Sequence, residues 1–158
     1  MRYKAIVFGF WFIFFISACT TDTKKSRYDQ LDRRTRLRLQ QYLVEGERLY
    51  GIYCANCHQK DGTGLARLYP PLKNSDYMLV NRQKVLCGMR YGQQGAITVN
   101  GVVFNQPMPA NPSITDLEIA EIATYIYTVF ADSVQIITAN EVKAIMAECD
   151  ENTGDSEH

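Results

Sequence analysis

The sequence carries no excess of charge. Seventeen lysine and arginine residues face 17 aspartate and glutamate residues, a formal net charge of +0 at pH 7. No net positive field argues for nucleic acid as a partner. There is no apolar run of about 18 residues or more, so no ordinary transmembrane helix is written in the chain. Histidine is scarce: His58 and His158 are the two, and the second lies at the far end. Disorder is not written in the composition either, since 46% hydrophobic and 22% charged are globular proportions. With 158 residues the chain suffices for one domain of ordinary size, and two would each be small.

What is present begins with an address. Arg2 and Lys4 form a short positive region, and Ala5 to Ile16 is an unbroken run of apolar residues and one glycine, twelve long. Small Ser17 and Ala18 follow, then Cys19. This is the layout of a secretory signal, too short to span a bilayer permanently. One reading is an ordinary signal peptide beside a chance cysteine. The ending Ile16-Ser17-Ala18-Cys19, however, resembles a bacterial lipoprotein box. That resemblance implies cleavage before Cys19 and lipid on its sulfur and new amino group, an anchor of several acyl chains. The chain then divides into a signal peptide over 1–18, a lipid-anchored tether and start of the first helix over 19–40, a folded domain over 41–149, and an acidic tail over 150–158. The implied place is the bacterial cell envelope, with the folded domain in the periplasm.

Residues 20–40 hold seven basic side chains (Lys24, Lys25, Arg27, Arg33, Arg34, Arg36, Arg38) against three acidic ones. Such a run is ordinarily a solvated helix face or linker, and contact with anionic lipid head groups is the other reading. The last nine residues hold four acids and no apolar side chain, which predicts a frayed tail. Between the ends the pattern is mainly α. Leu37, Leu39, Leu43, Leu49, Ile52 and Tyr53 predict a helix over about 31–53. Ser75-Asp76 caps a helical stretch over about 76–90, broken near Asn81. Ile97-Thr98-Val99, Asn100-Gly101 and Val102-Val103-Phe104 read as a small β-hairpin, because Asn-Gly suits the left-handed turn. Thr115 with Glu118 predicts a capping box for a helix ending near Phe130. Thr138 with Glu141 predicts another, for a last helix ending near Glu148.

Cys54-Ala55-Asn56-Cys57-His58 is a C-x-x-C-H sequence, the attachment pattern for c-type haem. Two cysteines three apart can each reach one vinyl-derived carbon of a flat macrocycle, and the next residue brings an imidazole to the iron. Three rivals fit less well. A thioredoxin-like pair wants a strand before it, and here a helix precedes. A zinc site wants a second close pair of ligands, and only Cys87 and Cys149 remain, far apart in sequence. A disulfide between residues three apart is uncommon. Export and haem attachment support each other, because the haem is attached outside the cytoplasm.

His158 is the one other histidine, so the second axial ligand is sought among Met78, Met89, Met108 and Met146. Met108 lies in Gln106-Pro107-Met108-Pro109-Ala110, after the hairpin, where flanking prolines stiffen the loop. The other three lie at helical apolar positions and read as core filler. Met108 is the candidate.

These residues together resemble a class I cytochrome c, from about Gln41 to Glu148. The resemblance implies that fold, with a small β-hairpin before the axial-methionine loop. Gly46 and Tyr50 stand eight and four residues before Cys54. There the family holds a glycine and an aromatic where the first helix crosses the last core helix, here through Ile122 and Tyr125. Pro70-Pro71-Leu72 follows His58 at the spacing where the family's proline carbonyl accepts from the proximal histidine. The resemblance thus makes Pro70 that acceptor and packs Leu72 on the haem. Tyr69 to Tyr77, Ile97 to Gly101, Met108-Pro109, Ile119 to Tyr125 and Glu141-Val142-Lys143 also resemble haem c domains found with copper nitrite reductases and some periplasmic dehydrogenases. No copper or dehydrogenase domain accompanies them in this chain.

An iron closed by His58 and Met108 has no open position for substrate, so the expected work is single-electron transfer rather than catalysis. The partners are redox proteins, a reductase, oxidase or dehydrogenase. The alternative is a haem-based gas sensor or weak peroxidase, which needs Met108 off the iron. Between residues 60 and 90, Lys60, Arg67, Lys73, Arg82, Lys84 and Arg90 outnumber Asp61 and Asp76, and between 91 and 149 acids predominate. This predicts a dipole that steers an acidic partner, against the plainer reading of scattered surface charge. Tyr69, Arg67, Arg82 and Arg90 are the candidate donors to haem propionates. Cys87 and Cys149 have no haem role; a disulfide between them is one reading, but the sequence alone does not bring them within bonding distance, and the helical context of Cys87 favours a buried free thiol.

Overall fold

The computed structural model describes residues 27–152. The signal segment, Cys19, the tether over 20–26 and residues 153–158 lie outside the described residues.

After a short 3-10 turn at Arg27–Gln30, Asp32 opens the first long helix, α1 (Arg33–Tyr53). Its carboxylate accepts from the backbone N–H groups of Arg34 and Thr35 at 2.9 and 3.1 Å, satisfying donors that a helix start leaves free. Leu39, Gly46, Leu49 and Tyr50 are buried on α1 at helical spacing and face α5 (Asp116–Val129). A Cβ built on Gly46 would stand 2.2 Å from the Glu121 carbonyl oxygen, so the helices cross at backbone contact. Tyr50 fills the crossing, with ring centroids 5.6 Å from Tyr125 and 5.4 Å from Phe130.

α5 is buried almost all round, which makes it the central element. Its start is a complete capping box. Thr115 Oγ1 accepts from Glu118 N–H at 3.2 Å, and Glu118 Oε2 accepts from Thr115 N–H at 2.8 Å. The predicted stretch over 76–90 is two helices, α3 (Asp76–Val80) and α4 (Arg82–Tyr91), separated at Asn81. Strands β1 (Ile97–Val99) and β2 (Val102–Phe104) pair antiparallel, with Ile97 opposite Phe104. Asn100 and Gly101 both have positive φ, 50° and 75°, as the tight turn requires. Asp76 and Asn100 exchange two hydrogen bonds, of 2.7 and 3.1 Å, that tie the hairpin to α3. The last helix, α6 (Ala139–Asn152), starts beside Thr138, whose hydroxyl accepts from Glu141 N–H at 3.2 Å.

Two expectations change. Cys87 is not a free thiol: it forms a disulfide with Cys149, with Cα atoms 5.9 Å apart across 62 residues of sequence. The reason is tertiary, because α6 returns across α4, where Gln83 Nε2 also donates to Glu148 at 2.8 Å. Secondly, α6 runs to Asn152, so the stretch expected to fray from Asp150 begins as helix. No helix among the described residues is long and apolar enough to cross a membrane.

Candidate cofactor site

The C-terminal end of α1 turns at Cys54 into the single-turn helix α2 (Ala55–His58). Gln59, at φ 62°, ends it, and the Tyr50 hydroxyl donates to the Gln59 carbonyl at 2.6 Å. The aromatic that fills the helix crossing therefore also pins the loop leaving His58.

His58 Nδ1 lies 2.9 Å from the Pro70 carbonyl oxygen. A carbonyl can only accept, so Nδ1 carries the proton and Nε2 of the neutral ring keeps its lone pair. Burial pulls the His58 pKa below its ordinary value, the Pro70 bond opposing it, which favours that neutral form. Gly64 makes the Pro70 approach possible. At φ +71° it adopts a left-handed conformation, and a Cβ there would lie 2.3 Å from the Tyr69 carbonyl oxygen. The Gly62 carbonyl accepts from Leu72 and Lys73 N–H at 2.8 and 2.9 Å, closing the loop.

The Met108 loop hangs on the end of α4. Gln93 and Met108 exchange both backbone hydrogen bonds at 3.0 Å, and Asn111 N–H donates to Arg90 O at 2.9 Å. Gly92, at φ +81°, allows this: a Cβ there would stand 2.6 Å from the Met108 carbonyl oxygen. Gly64 and Gly92 are site-forming residues absent from the sequence reading. The Gly62-Thr63-Gly64 punctuation and a glycine directly after α4 were the available signals.

These loops bring Cys54, Cys57, His58, Pro70, Leu72 and Met108 to one cleft that opens to solvent. Its inner wall is apolar, with Val85, Met89, Val99, Phe104, Ile122 and Ile126. Gly88 lines it too, and a Cβ there meets nothing within 4 Å although the residue is buried. The donor set and the wall suit a flat apolar macrocycle: two free thiols, an imidazole nitrogen and a thioether border one largely apolar slot. Met78 and Met89 also border it but are buried on helices, as is Met146 elsewhere in the core, while Met108 is half-buried on a loop.

A reactive dithiol is disfavoured. Burial, and then the neighbouring Cys57, push the Cys54 thiol up to about 12, the opposite of an activated pair. No cluster of three or more His, Cys, Asp or Glu spaced for a metal ion occurs among the described residues.

The four propionate candidates do not all face the cleft. Tyr69 lines it. Arg82 is engaged by Glu141, and Arg90 by the Ile114 carbonyl at 3.0 Å and Asp116 at 2.7 Å, so both are committed elsewhere. Arg67 is exposed and is not in the lining. The same two ion pairs join the basic and acidic halves of the sequence and reduce the expected dipole. Lys60, Arg67, Lys73 and Lys84 remain as exposed cations of the basic half.

Comparison with known proteins agrees with this geometry. The family model described as cytochrome c oxidase, cbb3-type, subunit III matches residues 42–126. Cytochrome c-552 of Thermus thermophilus is 31% identical over 113 residues, covering 66% of this chain and 86% of that protein. The fructose dehydrogenase cytochrome subunit of Gluconobacter japonicus is 29% identical over 109 residues, covering 66% of this chain and 22% of that protein.

Proposed function

The chain belongs to the cytochrome c family, with covalently held haem c as its cofactor, and on that premise we propose that it relays single electrons between redox proteins of the bacterial envelope. The observation that carries the reading is convergence: Cys54, Cys57, His58 and Met108 border one apolar cleft although up to 54 residues separate them.

Haem c supplies an iron that gains and loses one electron. Cys54 and Cys57 would hold the haem through thioether links, and His58 would offer the lone pair of Nε2 to its iron. The Pro70 carbonyl holds the proton on Nδ1, orienting the ring and raising its basicity. Met108 would offer its thioether sulfur to the iron from a loop that Gln93 anchors by its backbone. With haem in place, Leu72 and the apolar inner wall would keep water from the iron, which would disfavour the ferric charge and raise the potential. Tyr69 is the propionate donor that the cleft favours.

The partners are redox proteins, a reading supported by one relative's being a dehydrogenase's cytochrome subunit. Exposed Lys60, Arg67, Lys73 and Lys84 favour an acidic partner. Cys19 carries the lipid that keeps the domain at the membrane, in the periplasm.

An optical spectrum of haem-loaded protein in both oxidation states tests the ligation. The expected result is a c-type spectrum with the methionine-to-ferric-iron band, lost in Met108→Ala. A high-spin spectrum, with rapid carbon monoxide binding by ferrous protein, would overturn the closed site and favour gas sensing or peroxide chemistry. Cys19→Ala with cell fractionation tests the anchor, and a variant still wholly in the membrane fraction sinks it.

A further inference from the structure

The first three turns of α1 carry a surface that electron transfer does not use. From Arg33 to Val44 there are four arginines and no acid. Leu39, Leu43, Gly46 and Tyr50 turn inward at helical spacing. Arg33, Arg34, Leu37, Gln41 and Val44 fall on the opposite side and are all exposed. Two of them are large and apolar: Leu37 is 52% and Val44 71% exposed. Arg33, Arg34, Leu37, Arg38 and Gln41 border a shallow surface groove. Apolar side chains framed by arginines on one outward stripe are the pattern of a helix lying at a lipid interface.

The chain outside the described residues selects the occupant. Seven residues, 20–26, separate Cys19 from Arg27. Fully extended they span about 25 Å, so a lipid on Cys19 keeps the start of α1 close to the bilayer at all times. Full extension is about three Debye lengths, a limit that a coiled tether falls well inside, and local concentration at the surface is high.

We propose that the outward face of α1 over Arg33–Val44 lies on the anionic lipid surface that holds the anchor, with the arginines among head-group phosphates and Leu37 and Val44 dipping below them. The permanence of this contact rests on the lipidated Cys19 of the preceding section; its chemistry does not. The inward face of α1 is already taken by α5, so contact through the outward stripe leaves the core undisturbed. The attachment segment sits about 30 Å along the helix axis from Arg34, and none of the residues bordering the groove on α1 lines the cofactor cleft.

The test uses mature, haem-loaded protein isolated from the envelope, one copy per nanodisc. The discs contain phosphatidylcholine alone or with one third phosphatidylglycerol, and a nitroxide is placed at Gln41→Cys. The expected result is a several-fold lower collision rate with a neutral water-soluble nickel chelate on the anionic discs. High salt, or Arg33→Gln/Arg34→Gln/Arg38→Gln, restores the rate seen on neutral discs. Equal collision rates on both discs overturn the proposal, as does shielding that depends on protein density, which would make a second copy the occupant. If mass spectrometry finds no lipid on Cys19, the anchor fails separately, and vesicle flotation becomes the readout. Each basic residue near an anionic surface strengthens binding roughly fivefold, so the triple variant should bind phosphatidylglycerol vesicles about 100-fold more weakly. Unlipidated protein that ignores those vesicles refutes the contact.

Discussion

Gly46→Ala tests the helix crossing on which the site is built. A Cβ at position 46 would stand 2.2 Å from the Glu121 carbonyl oxygen, 2.7 Å from Tyr125 Cβ and 2.8 Å from the Glu121 carbonyl carbon. Two of those three atoms are backbone of a buried helix, so no side-chain rotation relieves the overlap. Reaching ordinary carbon–oxygen contact requires α1 and α5 to part by about 1 Å, and an interior at crystal-like density resists that. Overpacking typically costs about 1–3 kcal/mol and occasionally more; because backbone is hit here, about 4 kcal/mol, beyond that range, applies. Alanine's better helix propensity returns about 1 kcal/mol. The net expectation is a loss of about 3 kcal/mol, or a fall in Tm of about 10 °C for a domain of this size. Gly51 is the control. It lies on the same helix, is exposed, and its Cβ would meet nothing within 4 Å. Gly51→Ala should therefore raise Tm by a few degrees through propensity alone. Thermal melts of the ferric haem-loaded proteins, followed by far-ultraviolet circular dichroism, read both. The reasoning is refuted if Gly46→Ala is as stable as the parent, or if Gly51→Ala loses as much as Gly46→Ala.

Four further outcomes are expected. Cys87→Ser/Cys149→Ser opens a link across 62 residues, and loop entropy sets the loss at up to about 4 kcal/mol, seen as a lower guanidinium midpoint. Gly92→Ala would bring a Cβ to 2.6 Å from the Met108 carbonyl at φ +81°, so the sulfur-to-iron band should weaken while the helical circular dichroism is kept. Burial pushes the Tyr127 hydroxyl up to about 12, above its ordinary 10, and it donates to Met78 O at 2.8 Å. Its contribution is therefore full below pH 10 and fades as pH rises from 10 through 12; Tyr127→Phe should lose about 1 kcal/mol at neutral pH and flatten that alkaline decline in a stability-against-pH series. Thr115→Ala removes the hydroxyl that caps α5 and should cost about 1 kcal/mol in urea unfolding, with Gly51→Ala unaffected by its presence.

The attachment segment and the hairpin could be read because their information is local. Cys54, Cys57 and His58 need only spacing, and Asn100-Gly101 needs only a turn whose φ values those residues tolerate. The capping box at Thr115 and Glu118 likewise sits within four residues. Asn81 marks the break between α3 and α4 for the same reason.

The positions that escaped are those whose meaning lies in a distant partner. Cys87 looks like any apolar helical residue until α6 brings Cys149 to it. Arg82 and Arg90 look like free cations until Glu141 and Asp116 arrive from 59 and 26 residues away. Gly64 and Gly92 look like loop punctuation until the Tyr69 and Met108 carbonyls are found against them. Periodicity, capping and spacing are short-range properties, so the sequence by itself determined the elements and the chemistry of the attachment residues. Which surfaces meet depends on loop paths that no local pattern encodes. Tertiary structure alone decided the disulfide, the pairing of the arginines and the two backbone approaches that hold Pro70 and Met108 at the cleft.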